Sequence, residues 1–452
     1  MTTLRYAIAA TCLWASPASA ESGPLERILG APDELTVAAS VRARVESIEG
    51  QFRPGRAPSD SMLSLKSTLA AEYDAGKVRV GGELWDARTY GQDALSSAGT
   101  TEINALELVQ AYVRVELDDR MVGSTVTAGR FTLDIGSRRF VSRQAFRNTT
   151  NAYTGVHVDW HGTTGSRLQF LWSMPHIRLP EDAAGIRDDK VAWDRESTDL
   201  QLAAAHLTVP RVLGGVAEVY GFWLGERDSP DRLTRNRRLY TPGARLFRKP
   251  AKGQWDHDLE GAYQFGKIRQ TSLAADRTDL DVSAWFAHGE LGYTVSGRWV
   301  TRISLHFDAA SGDAGRPGRF GRFDTLYGAR RFEFGPTSLF GALGRANIVS
   351  PGLRADIAPS KRLDGFAMVR PTWAENARDA FTATGVRDSR AASGSYAGTQ
   401  LEGRVRYWLV PSRVRLDGGA AYIFKGRLLN EAPNAPRTGD SAYGYFDITF
   451  SF

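Results

Sequence analysis

Arginine recurs at alternate positions through much of this 452-residue chain. Arg42, Arg44, Arg79, Arg114, Arg245, Arg298, Arg302, Arg354, Arg404, Arg406, Arg413 and Arg415 fall on the polar parity of segments whose other parity is apolar. A guanidinium stays charged at any physiological pH and holds a carboxylate or phosphate with two parallel N–H donors, so rings of it inside a pore favour anions. The same faces carry Glu46, Glu83, Glu116, Glu218, Glu260, Glu290, Glu402, Asp417 and Asp447. Arginine and acid pairs also stiffen a wall, and about half of these arginines are expected to serve only that purpose. The basic groups outnumber the acidic ones, which leaves an anion-leaning interior. Arg302, Arg404, Arg406 and Arg415, each neighbouring an acid that can orient it, are the leading wall candidates, with Glu402 and Asp417 among those acids.

Other chemistry finds little support. His157 and His161 share one face of a strand, but no third zinc ligand stands at a sensible spacing. His288 and Glu290 share a face while Ser283 has the opposite parity, so that stretch holds no hydrolase triad. Gly318 to Gly321 lacks the pattern of a phosphate-cradling loop. Neither an enzyme nor a cofactor is expected, and no metal site is assigned.

These side chains need elements that hold two environments apart. Val37, Ala39, Val41, Ala43 and Val45 alternate with Ser40, Arg42, Arg44 and Glu46; Val109, Ala111, Val113, Val115 and Leu117 with Gln110, Arg114 and Glu116. Trp299, Ile303, Leu305 and Phe307 oppose Arg298, Arg302, Ser304, His306 and Asp308. Period two is the signature of a strand with one apolar and one polar face. Eighteen such segments run from 35–47 to 442–452, with a fourteenth at 342–357, and most approach the ~9–11 residues that a tilted strand needs to cross a bilayer. Their connections alternate. Short turns such as Ala75-Gly76, Ser296, Pro359 to Lys361 and Pro411-Ser412 follow even-numbered strands; long loops at 91–104, 134–151, 177–198, 309–341 and 374–396 follow odd-numbered ones.

Composition restricts the solvent. The chain is 42% hydrophobic with 46 glycines, yet has no run of about 18 apolar residues that would cross as a helix. In lipid, only a closed barrel remains. The expectation is therefore an all-β transmembrane antiparallel barrel over 35–452, with short periplasmic turns, long extracellular loops and an aqueous lumen. Residues 1–20 read as a secretory signal: Arg5, an apolar run from Tyr6 to Ala15, then Ala18-Ser19-Ala20. Residues 21–34 form a periplasmic leader in which Pro24, Leu25, Ile28 and Leu29 suit one helical turn. The single cysteine, Cys12, lies within the signal, so the mature chain has no thiol chemistry. The net charge of +6 falls by one on loss of Arg5 and is too small to name a nucleic-acid partner.

The last strand places Gly444, Phe446, Ile448, Phe450 and Phe452 on one face and Tyr445, Asp447, Thr449 and Ser451 on the other. A terminal Phe452 resembles the signal that barrel-assembly machinery reads. Gly129-Arg130-Phe131, Gly136 to Val141, Phe146 to Thr149 and Tyr153 to Val156 resemble a segment of the alginate-export family of outer-membrane channels. Phe323 to Gly328 with Asn347-Ile348, and Leu259 to Gly266, are similar to further parts of it. The resemblance implies a monomeric eighteen-stranded barrel passing a polyanionic polysaccharide, with Arg130 and Arg147 in the pore or at its mouth. Arg130 shares parity with Val126 and Ala128, which turns it outward unless a bulge intervenes, and Phe131 stands where the family is expected to carry a polar amide. Passive export of an acidic polysaccharide, with loops 177–198 and 309–341 folding in as gates, is the leading functional expectation. The alternatives are a general or nutrient-uptake porin for small, mainly anionic solutes, and a barrel with a blocked lumen.

Overall fold

Alternation keeps a backbone extended because each side chain then meets only one environment, and a slip of one residue would exchange the two faces. The computed structural model describes residues 24–117, 123–297 and 299–452. It contains eighteen long antiparallel strands. They are β1 (Leu35–Glu49), β2 (Ser59–Asp74), β3 (Val78–Tyr90), β4 (Asn104–Glu116), β5 (Thr125–Phe131), β6 (Tyr153–His161), β7 (Arg167–Pro175), β8 (Leu200–Val212) and β9 (Gly215–Glu226). The second half comprises β10 (Arg238–Arg248), β11 (Trp255–Arg269), β12 (Asp279–Val295), β13 (Val300–Ala310), β14 (Ile348–Ala358), β15 (Leu363–Trp373), β16 (Tyr396–Val410), β17 (Val414–Lys425) and β18 (Ser441–Ser451). Each pairs with its sequence neighbours, and β1 pairs with both β2 and β18, so the sheet closes without an edge. Closure is what lets backbone N–H and C=O groups find partners within the wall itself, as lipid demands.

The two faces separate as their parity requires. Val41 and Val45 are exposed on the outside of β1, whereas Arg42, Arg44 and Glu46 are buried within. On β18, Phe446 and Phe450 are exposed, as is Phe452 just beyond it, while Tyr443, Tyr445 and Asp447 are buried. Exposed aromatics gather near both ends of the outer wall, Tyr90, Trp172, Tyr240 and Phe424 toward one rim and Tyr73, Trp255, Trp299 and Tyr407 toward the other. Such girdles mark the two membrane interfaces. Leu305, 59% exposed in the middle of β13, faces the hydrocarbon. Leu305→Arg is expected to cost about 2–4 kcal/mol in reversible folding into lipid vesicles. An unchanged folding free energy would contradict this orientation of the wall.

Turns and loops alternate as expected. β8 and β9 are joined by Leu213 and Gly214, both at positive φ (48° and 76°), the conformation a two-residue hairpin needs to match strand twist. The long connections lie at the opposite, extracellular end. Two of them fold into the barrel: 132–152, and 311–347 with its short helix Arg331–Phe334. Phe140, Phe323, Phe334 and Phe340 from these loops join Tyr220, Phe222 and Phe286 of the wall in one buried cluster. This corrects the start of the fourteenth strand, which is Ile348 rather than 342. Ala342 and Leu343 are buried within the folded loop, and their apolar character comes from that packing. The same loop runs beside β12, where Arg319–Phe320 pairs parallel to Asp281 and Val282. The helical turn expected in the leader is present at Pro24–Leu29.

Candidate functional site: an arginine cluster on inward-folded loops

Loop 132–152 crosses the lumen and is pinned at both walls. On one side Phe140 lies 5.4 Å from the rings of both Tyr220 and Phe222 and 6.0 Å from Phe286, centroid to centroid. On the other, Phe146 meets Tyr445 edge-on at 5.1 Å, with the Arg44 guanidinium 3.9 Å above its ring. Arg42 donates to the carbonyls of Ala145, Phe146 and Arg147 at 3.3, 3.0 and 3.1 Å, and to Asn148 Oδ1 at 3.1 Å. Arg44 donates to Phe146 O at 2.8 Å and, across the seam, to Asp447 at 3.0 Å. Both face inward as their parity dictates. At 4% and 2% exposure, however, they hold the loop rather than meet channel water.

Loop 311–347 lies against this strut. Tyr327 N donates to Phe140 O at 2.8 Å and Ala329 N to Arg138 O at 2.9 Å. Gly328 permits the approach, since a Cβ there would lie 1.7 Å from Arg139 O. Arg139 bonds Glu333 of the second loop and Glu260 of β11, and pairs with Asp258 at 3.1 Å. Arg345 takes the other Glu333 oxygen, and Arg331 pairs with Glu402.

Most wall arginines are likewise occupied. Arg79 binds Asp74 and Glu116, both at 2.9 Å. Arg245 binds Asp258 and Glu218 at 2.6 and 3.1 Å. Arg302 binds Asp256 and Glu290. Arg354 binds Asp356 at 2.7 Å while stacking 3.7 Å from Phe366, and Arg406 binds Asp364 at 2.9 Å. Arg114 and Arg404 lie farther from their acids, Glu72 and Asp364, at 3.6 and 3.8 Å. Asp417 accepts from Tyr445 at 2.8 Å. Arg415 lies 5.8 Å from the Trp408 ring. Arg298 lies outside the described residues, as do residues 1–20. Arg130 keeps the outward parity of Val126 and Ala128. Segment 176–199 covers it and supplies Glu196 at 2.9 Å, beside Glu107 at 2.7 Å and the Leu108 carbonyl. No bulge turns it toward the lumen.

A different group of arginines is left over. Among the described residues, Arg53, Arg147, Arg178 and Arg330 have no carboxylate partner, although each is only half-buried. They come from four connections at the extracellular end, 50–58, 132–152, 176–199 and 311–347. Arg53 donates to Leu339 O at 2.8 Å, and Arg178 donates to Thr150 O and Asn151 Oδ1 at 3.2 and 2.9 Å. Arg53 and Arg330 flank Gly341, where a Cβ would lie 3.2 Å from one Nη2 and 3.6 Å from the other. Burial and then the neighbouring cations Arg330 and Arg178 push the Arg147 guanidinium down to about 9. Burial and Arg330 push Arg53 to about 10; burial and Arg345 do the same to Arg330. The four form a concentrated positive field in which no guanidinium is within salt-bridge distance of an acid among the described residues. Resemblance pointed to Arg147. Arg53, Arg178 and Arg330 sit in irregular loops where no periodicity marks them.

Glu102 is the acid whose charge reaches Arg53, Arg147 and Arg330 alike. It is fully buried, and burial raises its carboxyl above the ordinary range despite hydrogen bonds from Thr101 and Gly99. A carboxyl that holds its proton more tightly folded than unfolded contributes stability at low pH and loses that contribution as pH rises through its folded value. The sign for conduction follows. Protonation removes the anion facing the arginines, so the anion-to-cation permeability ratio from reversal potentials is expected to increase as pH falls through the raised range of this carboxyl. Glu102→Gln should hold the high ratio across that range; a wild-type ratio independent of pH would refute this role.

His288, Asp308 and Glu333 bring three buried donor atoms within 4.8 Å of one another. Arginine already serves both acids: Arg370 donates to Asp308 at 2.8 Å, and Arg139 and Arg345 bind Glu333. That cluster locks the second loop to the wall.

An apolar outer wall, a charged interior and loops folded across it belong together in one class of protein, a channel of the bacterial outer membrane. Structural neighbours have the same fold. The solved structure of Pseudomonas aeruginosa OccK9 (OpdG) matches with a TM-score of 0.60 at 12% identity over 93% of this chain and 98% of that one. Acinetobacter baumannii OccAB1 matches at 0.59 and 11% over 93% and 97%. P. aeruginosa OccK2 (OpdF), solved in complex with glucuronate, matches at 0.57 and 12% over 92% and 96%. Among curated protein sequences none matches significantly. The chain belongs to the alginate export family, whose description, alginate export, matches residues 33–442.

Proposed function

We propose that this barrel conducts carboxylate-bearing anions, and that its cargo is an alginate-like acidic polysaccharide moving outward. The observation that carries this reading is the cluster of Arg53, Arg147, Arg178 and Arg330, four guanidiniums on or bonded to the inward-folded loops, none of them in a salt bridge among the described residues. Fixed cations of this kind lower the barrier for successive carboxylates along a chain, and bidentate geometry suits the uronate group. The family supports a polyuronate, and a structural neighbour solved with glucuronate supports the same chemical class.

Uptake of small anions is the second reading. It is favoured by the depth to which loops 132–152 and 311–347 fill the extracellular half, a filling that suits compact solutes better than a polymer. Planar bilayers separate the two. Export predicts anion selectivity and block by uronate oligomers that strengthens with chain length. Equal block by monomer and oligomer favours uptake, while cation preference or indifference to polyuronates overturns both.

A further inference from the structure

Two histidines on the lumen wall each have one ring nitrogen engaged and one left over. His288 Nδ1 lies 2.7 Å from Asp308 Oδ1, a carboxylate that also accepts from Arg370, so Nδ1 is the donor. His288 Nε2 is buried and has no hydrogen-bond partner. His306 Nε2 lies 2.9 Å from Ser304 Oγ, and its Nδ1 is likewise buried and unpartnered. Both free nitrogens converge on the same atom. Glu290 Oε2 lies 3.9 Å from His288 Nε2 and 3.6 Å from His306 Nδ1. The other oxygen of Glu290 is held by Arg302, which fixes the carboxylate plane.

This is how a protein prepares imidazole for a metal. The outer nitrogen is tied to a carboxylate or hydroxyl, which sets the ring's orientation and leaves the inner nitrogen to bind. Register explains the convergence: on adjacent strands β12 and β13, Glu290 pairs directly with His306 and His288 with Asp308, all on the inward parity. We propose that His288 Nε2, His306 Nδ1 and Glu290 Oε2 form a binding site for a borderline divalent cation of the zinc class. Two imidazoles and one carboxylate suit zinc, whereas calcium and magnesium take oxygen. The ring centroids are 6.4 Å apart, and the two imidazoles must close on Glu290 to reach the ~2.0–2.2 Å of zinc bonds when the ion binds. With the ion bound, His306 Nε2–H donates to Ser304 Oγ. Glu290, 18% exposed where both histidine side chains are buried, gives access from the lumen and leaves the fourth position to water or a solute carboxylate. The site is independent of what the channel carries.

The test uses the full-length, untagged barrel in detergent after washing with a chelator. Calorimetric titration with Zn2+ in excess Mg2+ is expected to give one saturable equivalent, weakened about tenfold or more by His306→Gln or Glu290→Gln. His161→Gln, which alters a histidine paired with Asp159 elsewhere, should leave it unchanged. Co2+ added to the wild type should produce the intense visible absorption of a low-coordinate site, a readout that needs no variant to fold. No saturable Zn2+ binding, no Co2+ band, or equal binding by His306→Gln overturns the proposal in favour of a histidine–acid network that only braces the wall.

Discussion

Arg139→Ala is expected to destabilise the folded barrel by about 3–5 kcal/mol and to raise single-channel conductance. Arg139 is buried and joins three parts of the molecule: its own strut across the lumen, Glu333 on the second loop, and Glu260 with Asp258 on β11. Its removal leaves two buried carboxylates short of a partner in a region of low dielectric, where an uncompensated charge is costly. Some compensation remains. Arg345 still holds Glu333, and Tyr220 still donates to Glu260 at 2.7 Å. Easing the strain by releasing loop 311–347 from the wall widens the lumen, which links the stability loss to the conductance gain. Urea unfolding in detergent reads the first and planar bilayers the second. Arg139→Lys, which keeps the charge but loses the planar fork, should fall between. Wild-type values for both quantities would remove Arg139 from its role as the junction of the two loops.

Arg147→Gln combined with Arg330→Gln should have the opposite profile, a large change in selectivity at little cost in stability. Neither side chain is in a salt bridge among the described residues, so the pair of substitutions breaks no ion pair and relieves repulsion between cations, against which stands only the longer-range attraction of each for Glu102. Two unit charges about 6 Å from a passing carboxylate contribute on the order of 2–3 kcal/mol each at an effective dielectric near 20, less after screening by 0.1 M salt. Block by uronate oligomers is therefore expected to weaken by about 10–100-fold. The reversal potential in a salt gradient should move toward zero, with the unfolding midpoint unchanged or higher. A double variant that remains anion-selective and blocked as before would shift the selectivity to the wall. The prime alternative would then be the periplasmic half, where Arg354, Arg404, Arg406 and Arg415 are partly exposed.

The wall was legible in the sequence because a strand in a barrel reports its surroundings locally. Val41 beside Arg42 on β1, or Phe446 beside Asp447 on β18, states which side is lipid without reference to any other strand. The loops obey no such rule. Arg42 and Arg44 face inward as parity predicts, but Arg42 binds the backbone carbonyls of residues 145–147 and Arg44 adds that of Phe146 to its pairing with Asp447, and a carbonyl acceptor has no sequence signature. Arg130 shows parity prevailing over analogy. Its outward face was evident, whereas the resemblance implied the pore. Ala342 and Leu343 show the reverse failure, an apolar pair read as strand because burial inside a folded loop leaves the same mark as burial in a sheet. Arg53, Arg178 and Arg330 are joined only by the paths of distant loops, which local periodicity does not encode.

The seam between β1 and β18 dictates an order of events during biogenesis. Arg44 spans that seam to Asp447 while it also grips the carbonyl of Phe146, and Phe146 rests on Tyr445 of the final strand. Half of this cradle belongs to residues near position 40 and half to the last dozen of the chain. The central strut therefore has no complete seat until the final strand has zipped onto the first. The Phe140 end can dock on β9 and β12 beforehand, but the Phe146 end finds its seat only at the moment the cylinder becomes a tube.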